Sequence, residues 1–305
     1  MLKPELKKTI SLIFSGVLVL LFSFSCNHSK VEIVTVKGSD TEVNLVQELA
    51  EQFMEKDPDI SLTITGGGSG FGIASLINQK TDIANSSRPL NEKEKTLIEK
   101  EGLKVYPVIF AQDALAIVVH PKTGIEELSL GQLGKIFRGE IRNWKEIGGA
   151  DIPVSLYGRQ SNSGTFVYFR EKILQGEYDP SIKQMNGTAQ IIEAVKQDKG
   201  GVGYVGIGYL LSQKEEVNKN LTAVRLTENG KDSFSPLDQK AIINGDYPII
   251  RPLFQFVNGN PTHKTLGFIR YELSREGQEI VVKNGYFEIN EKQRRENSAL
   301  GIGLQ

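Results

Sequence analysis

One local pattern recurs along this chain: a short β-branched strand, a polar or glycine-rich turn, then an amphipathic helix. Val31–Val36 alternates, Gly38-Ser39-Asp40-Thr41-Glu42 breaks it, and Val43, Leu45, Val46, Leu49, Ala50, Phe53 and Met54 recur at helical spacing up to Asp57-Pro58. Ile60–Thr65 is the second strand. It enters Gly66-Gly67-Gly68-Ser69-Gly70-Phe71-Gly72, and a helix opens at Ile73. Asp82-Ile83-Ala84-Asn85 is a third strand, ending in Ser86-Ser87-Arg88-Pro89. A β-α-β-α-β order specifies an open, mostly parallel α/β sheet. Ligands of such sheets lie beyond the carboxyl ends of the strands, where all three turns fall. Asp40 or Thr41 is placed to cap the first helix, with Glu42 in its first turn.

The glycine turn lets bare N–H groups approach a ligand, and the positive end of a helix dipole favours an anion there. It is not a nucleotide loop. No register fits G-x-G-x-x-G/A, and no G-x-x-x-x-G-K-[ST] occurs. Taken alone, the glycines equally suit a tight turn.

Further along, Asn91–Gly102 reads as a charged helix, and Val105–Ile109 and Ala114–Val119 as two apolar strands. Ala111-Gln112-Asp113 between them is a crossing into a second lobe. Leu128–Phe137 is a helix, and Trp144 a packing anchor. Ile152–Tyr157 is a strand, followed by Gly158-Arg159-Gln160-Ser161-Asn162-Ser163-Gly164-Thr165 and a helix over Phe166–Leu174. This fourth turn is the richest in donors. It contains no G-x-S-x-G, and no histidine lies near to activate a serine. Hydroxyls grouped with one arginine then act as ligand donors, and the planar Arg159 fork suits two oxygens of an oxyanion. Thr188–Gln197 is helical and Gly200–Gly206 a buried strand. The Lys214–Asn220 charge run is a solvated face. Tyr247–Phe254 crosses back to the first lobe, and Thr262–Leu273 and Glu276–Val282 close the chain as helices.

The 305 residues carry a net charge of −1 and no basic tract, which argues against a nucleic-acid partner. Three histidines and one cysteine leave no metal cluster to assemble, and no cofactor is implied. At the amino terminus, Lys3, Lys7 and Lys8 precede the apolar run Ile10–Phe24 and then Ser25-Cys26. That layout is a secretory signal. Because Cys26 sits at the cleavage point, the segment resembles a bacterial lipoprotein signal with Cys26 acylated. Ser23 departs from the leucine usual there, and a plain secreted protein or an uncleaved anchor are the other readings.

Several motifs coincide with one family: Gly38-Ser39-Asp40-Thr41, Gly67-Gly68-Ser69-Gly70, Asp82–Arg88, Ile136-Phe137-Arg138-Gly139 with Asn143-Trp144, Arg159 with Ser163-Gly164-Thr165, and Gly203-Tyr204-Val205. In this order, over about Val31–Phe287, they resemble the phosphate-binding proteins of bacterial phosphate ABC importers. The resemblance implies a two-lobed periplasmic-binding-protein fold of type II, each lobe a mixed, mostly parallel sheet flanked by helices. It implies residues 1–25 as signal peptide and 26–30 as lipidated tether. Residues 31–112 and 241–305 would form the first lobe, and 113–240 the second. By position, Ser39, Thr41, Ser69, Gly70, Arg159, Ser163, Gly164 and Thr165 become phosphate ligands. The place of the family carboxylate that accepts the phosphate proton holds Ser87, followed by Arg88. Asp40 is open to two readings, that acceptor or a helix cap. The partners implied are inorganic phosphate, the transmembrane subunits of an ABC permease and, through the Cys26 lipid, a membrane. The protein would be a monomer, and a binding protein, not an enzyme. A binder of sulfate or molybdate, a secreted phosphohydrolase and an envelope phosphate sensor are the rivals.

Overall fold

The computed structural model describes residues 31–211, 217, 219–228, 230, 232–259 and 261–304. The expected export signal, Cys26 and the expected tether lie outside them, as does most of Lys214–Asn220. The chain runs β1 Glu32–Gly38, α1 Val43–Lys56, β2 Ile60–Thr65, α2 Ser69–Ile77, β3 Ile83–Ser86, α3 Glu92–Lys100, β4 Val105–Val119, β5 Glu127–Ser129, α4 Leu130–Phe137 and β6 Ser155–Arg159. It continues with α5 Gly164–Phe169, α6 Thr188–Gln197, β8 Gly201–Gly206 after the short β7 Lys183–Met185, α7 Ile207–Leu211, β9 Thr222–Ala223 and β10 Arg225–Thr227. Then come α8 Gln239–Ile243, β11 Ile250–Asn258, α9 His263–Leu273, α10 Arg275–Lys283 and α11 Glu291–Ala299.

The expected α/β architecture is present, and its two lobes share one sheet path, β2-β1-β3-β11-β4-β8-β6-β7. β1 pairs parallel with β2 and β3, and β6 pairs parallel with β7 and β8. β11 and β4 run antiparallel through the middle. Two separate cores follow. Val34, Val36 and Ile83 pack under Leu45 and Leu49 of α1 and Phe268 of α9. Val118, Val202 and Tyr204 pack with Phe137, Phe169 and Ile191 in the other lobe. Each fully buried side chain of this size is worth about 1.5–3 kcal/mol. On the opposite face of the first sheet, Ile73 and Leu76 of α2 meet Ala84, Phe254 and Phe256. Gly72 permits that approach, since a Cβ there would stand 2.4 Å from the Lys37 carbonyl.

Four expectations need correction. The two strands around residue 110 are one strand of 15 residues, because both halves find pairing partners without a break, β11 for the first and β8 for the second. The outward crossing is therefore a point within β4, between Ala111 in the first core and Ala114 in the second. The expected lobe boundary at 241 falls too early: Ile242, Tyr247 and Ile249 pack in the second core, and the return crossing lies near Ile250, inside Tyr247–Phe254. Neither Asp40 nor Thr41 caps α1. Glu42 holds that position and makes no side-chain capping bond. Finally, α11 was not anticipated. Its Asn297 reaches inward, donating to the Ile109 carbonyl at 2.7 Å and accepting from the Ile109 N–H at 2.9 Å. The Trp144 anchor is fully buried and donates to the Gly200 carbonyl at 3.0 Å.

Candidate functional site

Four loops at the carboxyl ends of β1, β2, β3 and β6 converge where the lobes meet. Ser39 and Thr41 follow β1 and are buried. Ser39 accepts from the Thr41 N–H at 3.3 Å, which tightens the loop. The loop is further pinned from outside: the Tyr209 hydroxyl donates to the Asp40 carbonyl at 2.8 Å, and the Tyr286 hydroxyl to that of Thr41.

The glycine turn is both a conformational and a spatial requirement. Gly67 and Gly68 have φ of 128° and 92°, the region that L side chains avoid. Ser69 is the first residue of α2, and its side chain is fully buried. Its oxygen accepts from the Ser87 N–H at 3.1 Å and lies 3.5 Å from the Ser87 hydroxyl.

Contacts then cross between lobes. Asn162, ahead of α5, accepts from the Gly70 N–H through its carbonyl and donates from its side chain to the Gly67 carbonyl, both at 3.0 Å. The Thr41 and Thr165 hydroxyls stand 2.9 Å apart. A Cβ on Gly164 would meet the Ser69 and Ser87 oxygens at 2.3 and 2.6 Å, so the faces are in close apposition. Ser163 occupies the cap position of α5 without using its hydroxyl, which stays available. Among the described residues, the N–H groups of Ser69, Gly164 and Thr165 have no protein acceptor. Unpaired N–H groups at helix starts are the donors an anion meets.

Arg159 is the last residue of β6, not a member of the turn after it, and is 1% exposed. Its Nε donates to the Met185 carbonyl, Nη1 to Thr188 Oγ1 and Nη2 to the Asn186 carbonyl. Nη2 also donates across the cleft to Asp40 Oδ2. The other Asp40 oxygen accepts from the Gly67 N–H at 2.9 Å. Asp40 thus joins the glycine turn to the second-lobe arginine. Among the described residues one Nη1 hydrogen of Arg159 has no protein acceptor.

Arg88 is a correction. Expected among the ligand donors, it is turned to the start of α3. There Glu94 takes both of its terminal nitrogens at 2.7 Å, and Nη1 also reaches the Pro89 carbonyl. Glu94 closes a capping box with Asn91, so this pair belongs to a helix end. Ser87 does line the site, by its hydroxyl and backbone.

Sequence reasoning missed Arg251 and Asp113. They face each other on β11 and β4, almost wholly buried, with Arg251 Nη2 2.8 Å from Asp113 Oδ2. Burial pushes the Asp113 carboxyl up, and Arg251 and the Ile207 N–H pull it back toward the ionised form. The available signal was a charged residue inside each of two apolar strands, a pattern that normally means a buried pair. Beside them Glu42 is fully buried and, among the described residues, neither of its carboxylate oxygens has a hydrogen-bond partner. Desolvation raises it well above the ordinary range, against the pull of Arg251.

Two lobes on a shared sheet, with donors from both meeting at the strand ends, define the periplasmic-binding-protein class. A model described as a PBP superfamily domain matches residues 27–276. The phosphate-binding protein PstS of Pseudomonas aeruginosa is 32% identical over 274 residues, 84% of this chain and 82% of that one. That of Borreliella burgdorferi is 30% identical over 93% of this chain and 99% of its own. A phosphate ABC transporter substrate-binding protein from Clostridium perfringens, solved with bound phosphate, superposes with a TM-score of 0.74 at 28% identity. That match covers 85% of this chain and all of the other. The chain belongs to the PBP superfamily and, within it, to the PstS phosphate-binding proteins.

Proposed function

We propose that this protein captures inorganic phosphate between its lobes and hands it to an ABC-type permease. The observation that carries the reading is the meeting across one cleft of Thr41 with Thr165, of Ser69 with Gly164 and of Asp40 with Arg159. Capture needs no bulk positive charge. A dehydrated anion must have its oxygens met by hydrogen bonds, or burial costs more than binding returns. Hydroxyls, the N–H groups at the starts of α2 and α5, and one Arg159 hydrogen supply such donors. Each helix dipole adds about 0.3–1 kcal/mol when exposed and up to ~2 when partly buried. Lobe closure would exclude water and present the loaded form to the permease.

The protein acts as a binder on this reading: the Ser39 and Ser69 hydroxyls contact the Thr41 N–H and the Ser87 N–H and hydroxyl, which suits hydrogen-bond donors to an anion. Export, acylation at Cys26 and membrane attachment through that lipid rest on the amino-terminal sequence. The monomeric reading rests on the donors of both lobes coming from one chain. Calorimetric titration of phosphate-stripped protein with phosphate, arsenate and sulfate tests the reading. Tight uptake of phosphate and arsenate with weak uptake of sulfate is expected. Preference for sulfate would replace it with a sulfate binder.

A further inference from the structure

Arg251 holds a position that ligand contact alone does not explain. It stands opposite Asp113 on the two strands that run through both lobes. Asp113 accepts from Nε at 3.1 Å and from Nη2 at 2.8 Å, and its other oxygen accepts from the Ile207 N–H at 3.1 Å. A pair this buried adds little stability by itself, because desolvating two charges costs about what their attraction returns. The guanidinium reaches further. Nη2 donates to Thr165 Oγ1 at 3.1 Å and approaches Thr41 Oγ1 at 3.5 Å, and Nη1 approaches the Ser87 carbonyl at 3.4 Å. The Tyr168 ring lies 5.3 Å from the guanidinium carbon. Arg251 therefore touches Thr41 and Ser87 from one lobe and Thr165 and Tyr168 from the other.

A hydroxyl has one proton, whereas a guanidinium only donates. The Thr41 and Thr165 oxygens lie 2.9 Å apart and, left to themselves, either could donate to the other. Asp113 takes one Nη2 hydrogen, and the other is shared between Thr165 Oγ1 at 3.1 Å and the more distant Thr41 Oγ1 at 3.5 Å, so both oxygens accept from Arg251 and their protons turn away from it, toward each other or into the cleft. We propose that Arg251, anchored by Asp113, is a positioning residue of the anion site. It turns the Thr41 and Thr165 protons off the guanidinium, so that the Thr165 hydroxyl donates toward bound phosphate. It does so only when the lobes are together, because the two hydroxyls belong to opposite lobes. A hydroxyl oriented in advance need not reorganise when the anion arrives, which is where fixed dipoles gain over free ones. The inference rests on the phosphate reading of the cleft.

A double-mutant cycle on the full chain tests it, read by calorimetry with inorganic phosphate. Thr165→Val in the wild type is expected to weaken binding about tenfold or more, the range of a hydrogen bond to a charged ligand. In an Arg251→Met background, which removes the donor, the same change is expected to cost less than about threefold further, because the hydroxyl has already lost its fixed direction. Ser163→Ala, whose hydroxyl does not meet Arg251, is expected to cost the same factor in both backgrounds. Should Arg251→Met not fold, Arg251→Gln with Asp113→Asn, a neutral hydrogen-bonded pair, takes its place in the cycle. Equal losses from Thr165→Val in both backgrounds would overturn the role given to Arg251. Wild-type protein that binds no phosphate would overturn the ligand instead, a separate outcome.

Discussion

Arg159 and Asp40 form an ion pair across the cleft, Nη2 to Oδ2 at 2.5 Å, with the arginine side chain 1% exposed and the aspartate 17%. The aspartate belongs to the loop after β1 and the arginine to the end of β6, so the pair exists only with the lobes together. Removing one partner of a buried charged pair typically costs about 2–5 kcal/mol of affinity. Arg159→Ala is expected to lose that much phosphate binding. Calorimetry returning the wild-type constant would take Arg159 out of the site.

Asp40 is not a helix cap, since its oxygens serve Arg159 and the Gly67 N–H. That leaves it as the exposed-edge carboxylate of the cleft. A carboxylate attracts a protonated oxygen of phosphate and repels sulfate, which carries no proton at neutral pH. Asp40→Asn is expected to narrow the ratio of phosphate to sulfate affinity. A competition titration with the same ratio for both proteins would reduce Asp40 to a clamp on Arg159.

Gly164 has no room for a methyl group, with the Ser69 oxygen 2.3 Å from the place a Cβ would take. Because the obstruction comes from the other lobe, Gly164→Ala should prop the cleft open more than it disturbs either core. Overpacking of this kind costs on the order of 1–3 kcal/mol, here expected in affinity. Solution scattering should show that added phosphate no longer contracts the variant. Unchanged contraction and affinity would mean the lobes need not approach this closely.

Glu272 is fully buried on α9. One oxygen accepts from Gln255 at 3.0 Å and the other has no hydrogen-bond partner among the described residues. Desolvation raises its pKa well above 4.5. The folded state therefore keeps a proton that the unfolded chain releases, and the favourable contribution, full below the unfolded pKa, is lost as pH rises toward the folded value. Glu272→Gln removes that dependence. Its melting temperature is expected to exceed that of the wild type at pH 7.5, by about 2–4 °C per kcal/mol recovered, and to match it near pH 4. A gap independent of pH would show that Glu272 is not held protonated.

Cys26→Ser is expected to move the protein from the membrane to the soluble fraction, since loss of the acyl anchor leaves no other attachment of the kind proposed. Fractionation of expressing cells reads this directly. Continued membrane retention would favour an uncleaved apolar segment over a lipid.

Local sequence determined the repeating units. β2 and α6 fall where their alternation and helical spacing put them, at Ile60–Thr65 and Thr188–Gln197. The loops after β1, β2 and β6 carried the hydroxyls and glycines that line the cleft. These are short-range properties: which face is apolar, where a helix can start, which turn needs glycine. Tertiary structure alone decided what depends on distant partners. Arg88 and Arg159 look alike in sequence, yet Glu94 captures the first while Asp40, 119 positions away, takes the second. β4 runs on through an apparent break because different strands pair with its two halves. Arg251 and Asp113, 138 positions apart, read separately as charges interrupting apolar strands. Only the crossing of β4 and β11 cancels their desolvation cost and turns two misplaced charges into the floor of the cleft.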